Sequence, residues 1–316
     1  MTDMATTPAH RFTVGGALGF GFAVLRTRPG AVAFLLVLQA VVFAALMAVQ
    51  YGLMGRMARE GLMLAEAGDM VEALALNMRL SGFSSLFSVI SAPLWLWLEA
   101  VWLVLFMSGR FTLWPGWGNL GRMTLGFIVI FGVYFAALIV LVIVMTTSLV
   151  GVALVQESGG DPAGIGVIAL VLGLILFGLM LAGLALFTAL PAHAVTGRFD
   201  IGQAVSTAWR HLVGVCIAWL VFFLVYLLAM AVVYGVYTVN VMDEVLAMME
   251  TISTRTEDPF IMMRLYAETL PTDQDLPWMG LTSASVMLIM GVIMLMGRGV
   301  SAKLALAMPA PSDKAD

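Results

Sequence analysis

Six long apolar runs limit the fold of this chain more than any other feature of its sequence. They lie at about 31–51 and 83–107, within 124–154 and 165–190, and at about 214–238 and 279–297. The first run alone would form roughly 31 Å of helix, which matches a bilayer hydrocarbon core of about 30 Å. The runs therefore predict an all-α integral membrane protein with six transmembrane helices.

Composition agrees with a membrane protein. Of the 316 residues, 62% are hydrophobic and only 11% are charged, whereas water-soluble domains carry about a quarter charged residues. The single cysteine, Cys216, lies in an apolar run, so neither a disulfide framework nor a cysteine metal cluster is expected. Residues 31–51 are longer than a signal-peptide core of roughly 7–15 residues, which predicts an uncleaved first span.

A short motif occurs three times, and each copy precedes a pair of apolar runs. The pattern is Arg-Phe-(Thr/Asp)-aliphatic followed by Arg-x3-Gly, and the copies begin at Arg11, Arg110 and Arg198. Internal repeats dictate architecture. We therefore predict three parallel helical hairpins, at about 11–108, 109–196 and 197–303, related by an axis along the membrane normal. The even-numbered runs also end alike, in Gly109-Arg110, Gly197-Arg198 and Gly297-Arg298.

Each hairpin is predicted to follow a cytoplasmic interfacial segment. Residues 12–28 are typical of a short surface helix, and Phe111–Gly121, rich in Trp, Pro and Gly, of a broken interfacial loop. Residues 200–210 predict a helix in which Asp200 and Gln203 form a capping box. Its apolar stripe is predicted to be Ile201, Ala204, Val205, Ala208 and Leu212.

The remaining segments are connections and tails. The outer connections are predicted at 53–82, as amphipathic helix outside the bilayer, at 155–164 and at 239–278. Pro93 predicts a kink in the second span, and Pro191 the end of the fourth. Residues 1–10 and 304–316 are predicted to be flexible tails.

The distribution of basic residues predicts the orientation. Segments 1–30, 109–123, 191–211 and 297–316 hold ten of the fifteen Lys and Arg residues, and the opposite loops hold fourteen of the nineteen acids. Cytoplasmic loops carry an excess of Lys and Arg, which predicts that both termini are cytoplasmic. The predicted location is a bacterial inner membrane.

Glu99 is the most unusual residue, because it lies inside an apolar run. It stands eleven residues before Arg110, which is about 16 Å along a helix and near the bilayer midplane. A charged group there costs at least ~2.5 kcal/mol. The sequence places nothing basic at comparable depth, and the hydrogen-bond partners considered are Gln39, Trp102, Tyr134 and Tyr226. Two interpretations stay open: a protonated glutamate bonded between helices, or a proton- or substrate-linked role.

Other candidate sites are weaker. His193 lies five residues before Arg198, and an interfacial histidine is favoured over a functional one. A basic collar is predicted to contact lipid phosphates or, alternatively, a specific anionic ligand; its members are Arg26, Arg110, Arg122, Arg198, Arg210 and Arg298. Asp273 and Asp275 form only a weak pair of potential cation ligands, so no metal site is predicted.

No enzyme motif is present in the sequence. Neither lysine, Lys303 nor Lys314, follows a Gly-rich phosphate loop, and neither H-E-x-x-H nor G-x-S-x-G occurs. The net charge of −4 gives no reason to expect nucleic acid as a partner. We therefore predict a protein without cofactor or enzymatic activity.

The stretch from span 4 into span 5 resembles a known family. Leu190-Pro191-Ala192-His193-Ala194-Val195 is followed by Ile201-Gly202-Gln203-Ala204-Val205-Ser206-Thr207-Ala208-Trp209-Arg210. This is similar to the membrane domain of some bacterial glycerophosphodiester phosphodiesterases and to the stand-alone YciC-like proteins. The resemblance implies six helices with enlarged outer loops over roughly Arg11 to Lys303. These residues contain no stretch that resembles the soluble catalytic domain of the fused members, so we expect neither phosphodiesterase activity nor catalytic residues from the resemblance.

Two functions follow as hypotheses. The first is a non-enzymatic envelope membrane protein that handles lipids or amphiphiles, or is a subunit of a membrane complex. Its partners would be membrane lipids and a further membrane protein. The alternative is a small-solute or proton-linked transporter or channel that uses intramembrane Glu99.

Overall fold

The computed structural model describes residues 12–157, 163–254, 264, 267, 268 and 270–309 of the chain. Within these residues the secondary structure is helical, without a strand. The helices are α1 (Val14–Thr27), α2 (Pro29–Glu66), α3 (Met70–Ser108), α4 (Trp117–Glu157), α5 (Ala163–Phe187), α6 (Ala189–Ala194), α7 (Ile201–Arg210), α8 (Leu212–Thr254) and α9 (Leu276–Leu306).

Six segments of the described chain are long and apolar enough to cross a membrane. They are Pro29–Glu66, Val71–Ser108, Trp117–Ser148, Leu170–Ala194, Leu212–Gly235 and Leu276–Leu306. This confirms the prediction of an all-α, multi-pass membrane protein with six candidate spans.

The helices run further than the apolar runs that predicted them. The predicted outer segment 53–82 is helical, as expected, but it consists of the end of α2 and the start of α3, joined by a turn at which Gly68 has φ +88°. Helix α8 likewise continues to Thr254, well into the predicted connection 239–278. Residues 158–162 and most of 255–269 lie outside the described residues, as does the predicted tail 1–10.

The first and third copies of the repeated motif begin a helix in the same way. The Thr13 hydroxyl accepts a hydrogen bond from the Gly16 N–H at 3.2 Å and caps α1. The Asp200 carboxylate accepts one from the Gln203 N–H at 2.8 Å and caps α7. Both residues occupy the third position of the motif. Side-chain oxygens at this position satisfy N–H groups that have no partner within the helix.

The second copy forms a loop. Thr112 Oγ1 accepts a hydrogen bond from the Trp114 N–H at 3.3 Å, and Pro115 follows at once, so the chain cannot start a helix there. Residues 109–116 are irregular, which confirms the predicted loop over that part, and Gly116 has φ +85°. The prediction was wrong for Trp117–Gly121, because α4 already begins at Trp117.

Three other local predictions need correction. Pro191 does not end the fourth span, since it lies in the first turn of α6, where proline needs no hydrogen-bond partner for its nitrogen. Gln203 does not complete the capping box, since its side chain makes no hydrogen bond with the Asp200 N–H; its Nε2 donates to the Pro309 carbonyl at 2.9 Å. The predicted tail 304–316 begins too early, since α9 continues to Leu306, and Leu304 is fully buried. Helix α3 continues through Pro93, and the kink at this residue stays a prediction.

The apolar stripe of α7 is also narrower than predicted. Its buried residues are Ala204, Thr207 and Ala208, whereas Ile201 is exposed. Alanine and threonine are small, which allows α7 to lie close to α5 and α6.

The chain divides into two compact units. The first comprises Met1–Arg28, Glu99–Phe223 and Leu295–Asp316, and the second comprises Pro29–Leu98 and Leu224–Met294. In the first unit, nearly every residue of 99–106 is buried. In the second, a cluster of Ala58, Leu80, Ala267 and Leu270 is packed against Tyr51, Met54, Met57 and Leu62.

Candidate functional site

The core of the first unit contains a buried ion pair between Glu99 of α3 and Arg298 of α9. Arg298 Nε donates to both carboxylate oxygens at 3.0 Å, and Nη2 donates to Oε2 at 2.7 Å. Glu99 is 6% and Arg298 4% exposed. Hydrogen bonds between two ionised groups are short and strong, so this contact joins two helices that are 199 residues apart in sequence.

Trp102, also on α3, contacts the guanidinium group of Arg298. It lies three residues after Glu99, which places both side chains on one face of the helix. The guanidinium carbon of Arg298 is 4.6 Å from the centroid of the Trp102 ring, and Trp102 is fully buried. A cation over an indole face is attracted by the ring quadrupole. The arginine is therefore held by a carboxylate and an aromatic ring at once.

Two glycines flank Arg298 and allow other elements to come close. A Cβ at Gly299 would lie 2.6 Å from the Ala17 carbonyl oxygen of α1, and one at Gly297 would lie 3.2 Å from the Phe222 ring of α8. Helix α1 also contacts α9 where Lys303 lies 5.6 Å from the Phe20 ring. Gly297 and Gly299 thus allow α8 and α1 to pack closely on either side of Arg298, whose side chain is buried.

This arrangement overturns the expectation that nothing basic lies at the depth of Glu99. Arg298 was interpreted as the end of span 6, by analogy with Arg110 and Arg198. Gly109 and Gly197 do follow helices and have φ of +64° and +86°, but Gly297 lies inside α9, which continues for nine residues. The glutamate bonds to the arginine and not to Trp102 or Tyr134.

A second polar contact lies one turn further along α9. The hydroxyls of Ser301 and Thr188 are 3.2 Å apart, and Trp219 Nε1 donates to Thr188 Oγ1 at 3.1 Å. Thr188 is buried between α5 and α6. Together with the ion pair, these contacts connect α9 to α3, α8 and the α5–α6 junction through polar groups. Hydrogen bonds between polar groups in a low-dielectric core are stronger than in water, so these contacts favour one arrangement of helices over others.

His193 lies in α6 and is enclosed by protein. The side chain is 5% exposed, and its Nδ1 has no hydrogen-bond partner among the described residues. The backbone carbonyl of His193 accepts a hydrogen bond from Thr196 Oγ1 at 2.7 Å, which helps to end the helix. The structure brings His193 together with neither Glu99 nor another titratable side chain in a hydrogen bond within the described chain.

The other five arginines predicted for the collar differ from Arg298. Arg26, Arg110, Arg122, Arg198 and Arg210 are exposed, and all belong to the first unit. None of them forms an ion pair with a described residue. The prediction that Arg298 belongs to an exposed collar was wrong, because its side chain is buried against Glu99. The five exposed residues are called the collar below.

Three exposed tryptophans accompany the collar. Trp114 and Trp117 follow Arg110, and Trp209 directly precedes Arg210. The Trp114 and Trp117 rings meet edge to face, with centroids 4.8 Å apart. Tryptophan is enriched at membrane–water interfaces because its ring is amphipathic. Arginine and tryptophan exposed side by side therefore suit the headgroup region of a bilayer.

A cleft lies beside Arg210, where α7 meets α8 and α1 begins. Its volume is about 350 Å³, and its lining comprises Phe12, Thr13, Val14, Trp209, Arg210, His211, Leu212, Val213 and Gly214. The Phe12 and His211 rings are in contact, with centroids 5.8 Å apart. Sequence reasoning missed this cleft, although the first and third copies of the motif supply both of its walls.

Asp273 and Asp275 are occupied by protein groups in the second unit. Asp273 accepts hydrogen bonds from Arg56 Nε at 3.2 Å and Nη2 at 3.1 Å. Asp275 accepts from the Thr272 N–H at 2.9 Å and from its hydroxyl at 2.6 Å. These hydrogen bonds hold the pKa of Asp275 below its ordinary value.

Comparison with known proteins gives no match: no family model, no curated protein and no solved structure is significantly similar to this chain.

Proposed function

We propose that this chain is a non-enzymatic membrane protein whose collar binds the phosphates of anionic lipids. The observation that carries the proposal is that five arginines are exposed in one compact unit without ion-pair partners among the described residues. Basic side chains near a membrane surface attract anionic lipids by about 1 kcal/mol each. Arginine also matches phosphate geometry with two parallel hydrogen bonds.

The exposed tryptophans support the same assignment. They lie within seven residues of a collar arginine in sequence, and both the tryptophans and these arginines are exposed. Arginine stems bury their methylenes along apolar surface while the charged head reaches polar groups. A band of this composition fits the headgroup layer and the first acyl carbons below it.

The proposal places the collar on the cytoplasmic side of a bacterial inner membrane, with both termini cytoplasmic. The excess of basic residues in the segments that hold the collar supports this orientation. Three parallel hairpins remain part of the proposal, supported by the equivalent caps at Thr13 and Asp200. The third hairpin departs from the others at Arg298.

Lipid binding is tested by native mass spectrometry of the purified protein with added lipid. The variant Arg110→Gln/Arg122→Gln removes two collar charges, and Arg56→Gln/Arg264→Gln removes two exposed charges from the second unit. We expect the collar variant to retain fewer phosphatidylglycerol molecules than wild type, and the matched control to retain as many as wild type. Equal retention by both variants, or no preference over phosphatidylcholine, would refute the proposal.

The transporter hypothesis remains an alternative, and the buried ion pair bears on it. The sequence suggests a proton- or substrate-linked role for Glu99 and places nothing basic at its depth, but in the structure Glu99 is paired with Arg298. A transport role would require this pair to open. Proton flux into proteoliposomes that is present in wild type and lost in Glu99→Gln would favour the alternative over lipid binding alone.

A further inference from the structure

We propose that the cleft at the α7–α8 junction is a defined site for the phosphate group of a membrane glycerophospholipid. The inference rests on the proposed function and narrows it, because it assigns one collar arginine, Arg210, to a built site. The remaining four collar arginines would then supply only general attraction to anionic lipid.

The cleft is an open depression that is large enough for a small ligand group. Its volume of about 350 Å³ lies within the range of about 300–1,000 Å³ typical of ligand pockets. Two short stretches form its walls, 12–14 at the start of α1 and 209–214 across the α7–α8 junction. Phe12 is buried and its ring touches the His211 ring, so one wall holds the imidazole in place.

The charge of the lining favours an anion. Arg210 and His211 are the titratable residues of the lining, and none of the nine lining residues is acidic. The Arg210 guanidinium is exposed and has no ion pair within the described residues. Its donors are therefore available to a ligand oxygen.

Two helices also begin at the cleft. Helix α1 starts at Val14 and α8 at Leu212, and the first N–H groups of a helix have no partner within it. The positive ends of the α1 and α8 dipoles therefore add to the guanidinium charge, which favours a phosphate group, whereas α7 ends at Arg210 and its negative end offsets part of this effect. Thr13 satisfies one N–H of α1, that of Gly16, and leaves those of the first residues.

The apolar part of the lining favours a lipid over a soluble phosphate compound. Trp209 and Val213 are both exposed at the rim, and Val213 lies in the second position of the span Leu212–Gly235. A phosphate held by Arg210 would thus have an indole and the start of an apolar helix beside it. Glycerol and the first acyl carbons of a phospholipid can cover these side chains, whereas inorganic phosphate cannot.

Arg210→Gln tests the site, and Arg28→Gln serves as its matched control. Both variants remove one exposed arginine charge from the first unit, but Arg28 neither belongs to the collar nor lines the cleft. Phosphatidylglycerol is titrated onto each purified protein and the tightest bound molecule is followed by native mass spectrometry. We expect Arg210→Gln to bind this molecule about tenfold more weakly, as for the loss of a charge-assisted contact, and Arg28→Gln to bind it as wild type does.

The outcomes distinguish a specific phosphate site in the cleft from general lipid binding by the collar. An equal loss in both variants would overturn the cleft while leaving the collar intact, and no loss in either would count against both. Millimolar glycerol phosphate is added as competitor in a second arm, and we expect it to leave the bound lipid in place. Displacement of the lipid by glycerol phosphate would overturn the assignment to a membrane lipid. Thermal unfolding of each variant confirms that the protein remains folded.

Discussion

Two regions of this protein contain arginine–carboxylate pairs in opposite surroundings. In the first unit, the side chains of Arg298 and Glu99 are 3% and 8% exposed, whereas those of Arg56 and Asp273 in the second unit are 64% and 62% exposed. The pair of Arg264 and Glu66, also in the second unit, is 36% and 46% exposed, yet its contact of 2.7 Å equals that of Arg298 and Glu99. Distance alone therefore does not distinguish the pairs.

Burial separates them, because solvent screens exposed charges. A surface ion pair contributes about 0–1 kcal/mol, since water solvates both charges nearly as well when they are apart. A buried pair gains more attraction, but each charge loses its hydration, so the net gain can be small. Loss of one partner leaves the other charge buried and uncompensated. Replacing only one residue of the buried pair should therefore destabilise the folded protein.

The largest expected effect comes from breaking the buried pair. Arg298→Met or Glu99→Gln alone should destabilise the protein by about 3–5 kcal/mol, since each leaves a buried polar or charged group without its partner. The double variant Arg298→Met/Glu99→Leu should recover most of this loss. Unfolding in detergent measures all three. If the single and double variants were equally destabilised, the loss of stability would not arise from an unpaired buried charge.

A smaller effect is expected from the glycine next to Arg298. In Gly299→Ala the new Cβ would lie 2.6 Å from the Ala17 carbonyl oxygen, so α1 must shift, at a cost of about 1–3 kcal/mol. The control is Gly19→Ala in α1, where a Cβ meets nothing within 4 Å. That substitution should stabilise the helix by about 0.5–1 kcal/mol. A melting temperature that rises for both variants would contradict the close contact of α1 and α9.

Substitutions in the exposed ion pairs should change the free energy of unfolding very little. Arg56→Gln removes the contact with Asp273, and we expect a loss of about 0.2–1 kcal/mol, measured in the same unfolding assay at low salt. Added salt at about 1 M should erase most of that difference, because the Debye length falls to about 3 Å. The buried pair should respond to salt much less. A salt-insensitive loss for Arg56→Gln would mean that its side chain contributes packing as well as charge.

The smallest effect is expected from Asp275 and depends on pH. Hydrogen bonds from Thr272 lower the pKa of Asp275 below its ordinary value of 3.8, so the ionised form stabilises the folded state. That contribution is fully present above about pH 4–5 and is lost as pH falls through the lowered pKa. The stability difference between wild type and Asp275→Asn should therefore shrink on acidification. A difference that stays constant between pH 7 and pH 3 would exclude this role of the Asp275 carboxylate.

Much of the fold follows from local sequence. The six apolar runs predict the spans because their length and hydropathy must match a bilayer, whatever the neighbouring helices do. Asp200 predicts the start of α7, because its carboxylate bonds to an N–H only three residues away. The loop at 111–116 follows from Pro115, before which a helix is disfavoured, and from Gly116, which adopts φ +85°.

Only part of the candidate site could be predicted from the sequence. The sequence singled out Glu99 and the exposed collar arginines, because charges beside apolar runs are costly or mark the membrane surface. It did not identify Arg298 as the partner of Glu99, since nothing within either local stretch encodes a contact across 199 residues. Gly297 and Gly299 were a signal that could have helped, because small residues on both sides of an arginine allow close helix packing.

The sequence by itself therefore determined the class of protein, the number of candidate spans and the Asp200 cap of α7. Tertiary structure decided which arginine lies inside and which remain exposed, where Gln203 bonds, and that the start of α1 and the α7–α8 junction border an open cleft. The physical reason is the separation along the sequence over which each effect acts. Hydropathy, proline and capping act within a few residues, whereas burial and ion pairing depend on segments that meet only once the helices have packed.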